Sequence, residues 1–318
     1  MTVAAESTSK WSRRRRVTRA RLAQASVPYL LILPVVAVLG ALLAYPIYRL
    51  VVLSLQKYTL FELIRHKGTW VGLDNFRSVL GDQVLWHTLL RTVVFTVVNV
   101  GLTIGLGLLI AILLVQVSTW VRILLTSGLV LVWAMPPVVA VQVWYWMTNY
   151  QNGVVNDLIT KLHIFGDFFQ HDWYATTFSS LTLVTLLIVW GALPFVAITL
   201  YAALSQVPNE LVEAAEIDGA RPWRVFKDVT LPILTPVLLI LTSLSILWDF
   251  GVFTQAYLLI GASHIHPSNY LMSTYLFIEG FQKGDYGRGA AISILMLVVV
   301  AAMSFFYVRK MVRVGEVQ

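Results

Sequence analysis

The segment Ser205-Gln-Val-Pro-Asn-Glu-Leu-Val-Glu-Ala-Ala-Glu-Ile-Asp-Gly-Ala-Arg-Pro-Trp-Arg-Val-Phe-Lys-Asp-Val-Thr-Leu-Pro232 is polar and lies between two long apolar runs. Pro208 suits the first turn of a helix. Glu210, Glu213 and Glu216 follow at spacing three, early in that helix, where negative charge meets the positive end of the dipole. Leu211, Ala214, Ala215 and Ile217 leave a compact apolar strip. Asp218-Gly219 predicts a stop, because glycine tolerates the left-handed turn that ends many helices. Pro222 restarts a second short helix, with Trp223 and Phe226 at spacing three and basic Arg221, Arg224 and Lys227. Pro232 closes that helix and opens the next apolar run. The pattern predicts two short amphipathic helices, the first of ~11 residues and about 16 Å long. Small alanines allow another surface to approach closely. Three glutamates fit an anionic lipid surface poorly, so a protein partner is the better occupant.

On both sides of this segment the chain is strongly apolar. Of its 318 residues 58% are hydrophobic and only 12% charged, about half the charge of a usual soluble domain. Mean hydropathy is +0.76. These values exclude a soluble enzyme, a disordered chain and a coiled coil. The hydrocarbon layer of a bilayer needs ~20 apolar residues per helix. Six runs qualify: Val27–Leu55, Leu89–Val117, Ile123–Met147, Phe178–Leu204, Ile233–Ile260 and Ala290–Val308. None alternates with period two throughout, which argues against a β-barrel. Backbone groups in lipid need partners within the segment, so each run is predicted to be a helix. Pro34, Pro46, Pro136, Pro137 and Pro194 predict kinks.

Lysine and arginine set the predicted orientation. With both termini inside, the inner segments hold fourteen of the 23 basic residues: seven in the tail from Lys10 to Arg21, then Arg122, then Arg221, Arg224 and Lys227, then Arg309, Lys310 and Arg313. Short cytoplasmic loops carry this bias best. Arg13–Arg16 before an apolar run resembles a signal peptide, but the run of about 29 residues far exceeds a cleaved apolar region. The predicted domains are a basic cytoplasmic tail (1–26), a six-helix membrane domain (27–310) containing the loop 205–232, and a short cytoplasmic tail (311–318). The predicted outer loops are Gln56–Thr88, Thr148–Thr177 and Gly261–Gly289. There are no cysteines, which excludes disulfides, iron–sulfur clusters and a cysteine nucleophile.

Glu213-Ala214-Ala215, then Gly219, then Val229-Thr230-Leu231-Pro232 resemble the EAA loop of ABC importer membrane subunits, with Val229 where isoleucine is usual. Asp218-Gly219-Ala220 and Trp223 narrow the resemblance to carbohydrate permeases similar to the maltose system. Gly72-Leu73-Asp74-Asn75-Phe76, Gly153-Val154-Val155-Asn156 with Leu158, Trp190, Pro194-Phe195, and Tyr286-Gly287 with Ala290-Ala291-Ile292-Ser293 agree with it along nearly the whole chain. Ile260-Gly261-Ala262-Ser263 departs from the Thr-Gly-Gly-Pro that is common in relatives.

The resemblance implies an all-α type I importer fold with six spans, both termini cytoplasmic, in a bacterial cell membrane. It implies a second permease subunit, generally a different one, two ABC ATPase subunits and an extracytoplasmic sugar-binding protein or lipoprotein. The transported solute would be a di- or oligosaccharide. Glu213, Ala214, Ala215, Asp218, Gly219, Ala220, Leu231 and Pro232 would couple the spans to the ATPase. The chain has no Gly-x-x-x-x-Gly-Lys-Ser/Thr loop, so ATP and magnesium belong on that partner, and this chain carries neither catalysis nor a cofactor.

For the sugar path the polar and aromatic candidates within the runs are Asn99, Gln142, Trp144, Tyr145, Trp190, Trp248, Asp249 and Gln255. Asp249 is the one acidic residue deep in a run, and a carboxylate there faces a cavity or a partner. Gly101 and Gly105 form a small-xxx-small face suited to close helix packing. His264-x-His266 lacks a third ligand and predicts a loop, not a metal site. A non-sugar ABC permease is the runner-up. An ion-coupled transporter would need more intramembrane charge.

Overall fold

The computed structural model describes residues 3–163, 166–261 and 264–315, and side chains within 29–309. Ala262 and Ser263, where the sequence departs from the importer pattern, lie outside the described residues. So do the side chains of the basic tail and of Lys310 and Arg313.

The chain forms α1 (Val3–Ser54), β1 (Gln56–Lys57), α2 (Leu60–Arg65), β2 (Thr69–Trp70), α3 (Asp74–Leu80), α4 (Gln83–Gln116), α5 (Thr119–Trp133), α6 (Pro137–Met147) and α7 (Val154–Leu162). It continues through α8 (Thr177–Leu204), α9 (Asn209–Ile217), α10 (Pro222–Val225), α11 (Leu231–Phe250), α12 (Thr254–Ile260), α13 (Met272–Phe277) and α14 (Tyr286–Gly315). One π-turn, Phe226–Thr230, joins α10 to α11, and a second, Ile278–Gln282, follows α13. The first 53 residues form one compact unit and Ser54–Gln318 the other.

Among the described residues, five helical stretches are long and apolar enough to cross a membrane: Tyr29–Ser54, Gln83–Gln116, Thr177–Leu204, Pro222–Phe250 and Tyr286–Arg309. The third apolar run of the sequence is not a single straight helix. It is α5 and α6, which meet at 97°. Pro136 has extended backbone (φ −58°, ψ 134°) and caps α6, whose first residue is Pro137. Neither proline has an amide to donate, and the residue before a proline is pushed out of the helical region.

Two further boundaries move. The fifth run ends at Phe250, and its predicted tail is the separate helix α12. Pro232 does not close a helix: the backbone passes through it from Pro222 to Phe250. The π-turn explains why. The amide of Leu231 donates to Phe226, five residues back, so the helix is re-registered just before the proline removes a donor. In α8, by contrast, Pro194 sits in mid-helix, and its missing amide leaves the carbonyl of Trp190 without the usual helical donor.

In lipid, helix association rests on dispersion and polar contacts, since tails are as apolar as leucine. The bundle centre follows this rule. The α4 helix packs most extensively on α8 and next on α11. Its buried face carries Thr88, Thr92, Thr96, Asn99 and Thr103, with Gly107 against Val196 and Ala197. Gly101 and Gly105 are not at this seam, because they are exposed and no atom lies within 4 Å of an added Cβ. A lower cluster joins Ala111, Val196, Leu200 and Leu241. A second joins α6, α8 and α12 around Val184, Leu187 and Leu259. A third joins α3, α4, α11, α13 and α14 around Val79, Phe250, Tyr275 and Ile292.

The long connections opposite the α9 segment meet one another. Strands β1 and β2 form an antiparallel hairpin, and Thr59 bridges to Asp285. Asn75 Nδ2 donates to the carbonyls of Ser54 (2.9 Å) and Gln56 (2.8 Å). Asn156 donates to the carbonyl of His171 and accepts from the Trp173 indole. Arg288 reaches Asp82 at 2.5 Å and Glu279 at 3.2 Å. These pairings give a physical role to Asn75 and Asn156, both singled out in the sequence motifs.

Candidate substrate cavity and exposed loop

A cavity of about 500 Å³ opens where α5, α6, α8, α11 and α12 converge. The breaks in the backbone create it. The 97° bend moves α6 away from the line of α5, and α11 stops at Gly251 before α12 begins. Its walls include Trp133, Trp190, Phe195, Trp248 and Phe253, with Asp249, Thr254 and Gln255 as polar groups. Trp133 stacks near Phe195 (6.3 Å), and Phe195 lies 5.7 Å from Trp248. Flat rings around a few polar side chains suit a ligand with both apolar faces and hydroxyl edges.

Asp249 is 5% exposed, and its Oδ2 has no hydrogen-bond partner among the described residues. No ion pair to Asp249 is formed among them either. A buried carboxylate oxygen on a cavity wall is costly unless something enters to satisfy it.

The sequence candidates divide in two. Trp190, Trp248, Asp249 and Gln255 line this cavity. Asn99, Gln142, Trp144 and Tyr145 do not. Asn99 is fully buried between α4 and α8, donating to Phe95 O and Thr185 Oγ1. Gln142 and Tyr145 are exposed, and Tyr145 rests 5.9 Å from Tyr174. Trp144 touches the Trp190 ring at 6.0 Å but belongs to a separate apolar pocket with Trp173 and Phe178. Sequence reasoning missed Trp133, Phe195, Phe253 and Thr254. The available signal was the prolines, since Phe195 follows Pro194 and Trp133 precedes the Pro136–Pro137 break.

At the other end, α9 has no buried residue. Its C-terminus is closed by two bonds, Gly219 N to Glu216 O (2.9 Å) and Ala220 N to Ala215 O (3.0 Å). This is the Schellman pairing, which needs a left-handed residue. Gly219 supplies it at φ +78°, with open space where a side chain would point. Glu213, Ala214, Asp218, Gly219 and Pro232 are exposed, while Ala215, Ala220 and Leu231 are half-buried. A shallow hollow of about 240 Å³ lies between the turn and α10, walled by Ala215, Asp218, Ala220, Arg224, Val225, Asp228 and Val229. Ile217 and Trp223 stand 86% and 72% exposed, which is unusual for such apolar side chains unless a partner covers them.

His264 and His266 lie in a loop, with His264 Nε2 3.7 Å from Asp172. Among the described residues no three metal-ligating side chains converge.

Long apolar helices, a central cavity walled by broken helices and a protruding polar helix define a multi-pass membrane permease. Residues 103–312 match the family described as "binding-protein-dependent transport system inner membrane component". The chain is 41% identical over 304 residues to the diacetylchitobiose uptake system permease protein DasB of Streptomyces coelicolor, covering 94% of this chain and 92% of that one. It is 32% identical over 287 residues to the trehalose/maltose transport system permease protein MalF of Thermococcus litoralis, covering 90% and 94%. Among solved structures, the crystal structure of a bacterial ABC transporter involved in alginate import superposes with a TM-score of 0.74 at 19% identity, over 92% of this chain and 99% of that one. That likeness establishes the fold. The chain belongs to the binding-protein-dependent inner membrane permease family. It is a multi-pass protein of the bacterial inner membrane and a transport component, not an enzyme.

Proposed function

We propose that this chain is one membrane-spanning subunit of an ATP-driven importer for a di- or oligosaccharide. The observation that carries the reading is the cavity, lined by Trp190, Trp248, Asp249 and Gln255 from three helices, in a chain 41% identical to a diacetylchitobiose permease. Relatives whose names specify trehalose or maltose support the same solute class. The chain crosses the membrane six times, with α5 and α6 together as the third crossing, and both termini are cytoplasmic. An extracytoplasmic binding protein delivers the sugar. A second permease subunit completes the pathway. A solved relative of this fold was crystallised in complex with its saccharide-bound periplasmic protein.

The α9 helix and its Gly219 turn dock into a cleft on a separate ATPase, which holds ATP and magnesium. Glu213, Ala214, Ala215, Asp218, Gly219 and Ala220 form the docking face. Leu231 and Pro232 link it to α11, whose far end carries Asp249. Closure of the ATPase pair on ATP moves the docked helix, and the rigid α10–α11 stretch transmits that movement to the cavity. Energy released at one site thus biases a two-state equilibrium at another.

The test is a mild-detergent pull-down of the tagged chain from its own cells, scored for co-purifying proteins and ATP hydrolysis. An ATPase, a second permease and a binding protein are expected, with transport of a labelled disaccharide by the reconstituted complex. A chain that emerges alone after crosslinking at Glu213 would overturn the docking assignment.

A further inference from the structure

A run of six aromatic rings leaves the cavity and crosses the end of the molecule where the long connections meet. Phe253, which caps α12, and Tyr257, one turn further on, stack at 5.1 Å. Both touch Phe277 at 5.0 Å. Phe277 stacks on Phe281 at 5.6 Å across the Ile278–Gln282 π-turn. Phe281 meets Tyr286 at 6.0 Å, and Tyr286 meets Tyr58, next to the β1 strand, at 6.4 Å. No step between neighbouring rings exceeds these distances, although the rings come from four separate segments of the chain.

The rings are not core. None belongs to the three buried clusters. Each is at least partly exposed, and Phe281 is 63% exposed. Hydrogen-bonding groups accompany them: Gln282 Nε2 donates to the Tyr257 hydroxyl at 2.8 Å, and Thr254 and Gln255 stand beside Phe253 on the cavity wall. The π-turn is part of the construction, since its extra residue displaces Phe281 relative to Phe277, and such turns concentrate at functional sites.

We propose that these rings are a sugar-binding track leading from the extracytoplasmic face into the cavity. The inference rests on the sugar-import reading. Pyranose rings carry C–H groups on their faces and hydroxyls on their edges. A row of exposed π-faces holds the former, and amide or hydroxyl groups at its margin take the latter. Because each ring offers a similar weak contact, a saccharide can step between them without settling in one deep well. A lipid tail would have no use for the hydrogen-bonding margin. The track also begins at Tyr58 and Phe281, in connections between the long apolar helices.

The experiment uses the complete importer in proteoliposomes, with its ATPase, partner permease and binding protein. Radiolabelled diacetylchitobiose, trehalose and maltose are the probes. The readout is sugar moved per ATP hydrolysed. Phe281→Ala and Phe281→Leu are both expected to lower this ratio about fivefold, while Phe281→Tyr and Phe281→Trp hold it within about twofold of wild type. Hydrolysis stimulated by the loaded binding protein is the control for assembly and should persist in all four. Phe277→Leu against Phe277→Tyr repeats the contrast at a less exposed ring. A Leu variant at the wild-type ratio would overturn the track, because simple apolar packing would then suffice. So would loss of hydrolysis or of subunit assembly in Phe281→Leu, which would identify a subunit contact. If the wild-type complex moves none of the three sugars, the sugar-import reading fails first and the track falls with it.

Discussion

The two ends of the molecule are built on opposite principles. Where the long connections meet, charged and polar side chains pair with one another across distant parts of the chain. Arg288 is held by Asp82 and Glu279, Asn75 bonds two carbonyls of the adjacent hairpin, and Tyr275 reaches Asp82 at 3.1 Å. At the other end, α9 buries no residue and shows Leu211 and Ile217 to the outside, and α10 shows Trp223. One end is closed in its polar contacts, although aromatic rings such as Phe281 stay exposed there. The other is shaped by the Gly219 turn and a few local contacts, Arg224 with Asp228 and Trp223 with Phe226, and leaves apolar side chains uncovered. This difference fits the proposal that a partner docks at the α9 end. It predicts that mutations at the two ends fail in different ways.

The largest effect is expected at the open end. Gly219→Pro places a residue fixed near φ −65° where the turn needs +78°. Ala214→Trp fills the docking face. Either should bring transport to background while the apolar helices stay folded, because the lost Gly219 amide and its strain are confined to a turn that follows a helix with no buried residue. Wild-type transport in either would break the assignment of α9. At the closed end the reverse holds. Arg288→Ala leaves Asp82 without its cation and leaves Glu279, which is 6% exposed, with only the exposed Lys283 at 2.6 Å, and breaking such a partly buried network costs about 3 kcal/mol, the low end for buried pairs. Thermal unfolding in detergent should show a large drop, with transport lost only as folded protein is lost.

Legibility in the sequence divides along the same line. The α9 segment was readable because local chemistry sets it: Pro208 at the start and Gly219 at the left-handed stop need no distant partner. The long apolar helices were readable from hydropathy. The 97° break was not, because Pro136–Pro137 announces a kink but not its angle, which depends on what α6 packs against. The extra boundary after Phe250 was hidden because α12 is as apolar as α11. The Arg288–Asp82 pair joins residues 206 apart, and the ring track joins Tyr58 to Phe281. No local pattern encodes such meetings. For the same reason only half of the eight sugar-path candidates reached the cavity. Residue type is visible in a sequence, but the wall a side chain faces is set by tertiary packing.

An intermediate effect should appear at high pH. Burial pushes the Tyr275 and Tyr174 hydroxyls up to about 12. Their neutral forms are therefore favoured in the folded protein. The unfolded chain loses these protons near pH 10, so between about pH 10 and 12 it binds fewer protons than the folded one. Stability is present below pH 10 and falls as pH rises through that window, by roughly 1–2 kcal/mol for each tyrosine once solvent screening is allowed for. Tyr275→Phe should flatten the decline in melting temperature across this range. An unchanged slope would mean that Tyr275 ionises as freely in the folded state as in the unfolded one.

The smallest effect concerns Asn75, and it separates geometry from charge at the closed end. Its amide nitrogen faces two backbone carbonyls, Ser54 O and Gln56 O, and an added Cβ on Gly287 would come within 3.0 Å of that nitrogen. The site therefore demands a donor in a confined space. Asn75→Ala removes two hydrogen bonds and should cost about 1–2 kcal/mol. Asn75→Asp keeps the shape of the side chain but turns acceptors toward acceptors, so its cost should exceed that of alanine. If the hairpin were held mainly by packing, the near-isosteric aspartate would be the milder change. Melting temperatures of the two variants, measured side by side, decide between these accounts. An aspartate variant more stable than the alanine variant would show that the closed end is held by fit and not by its donors.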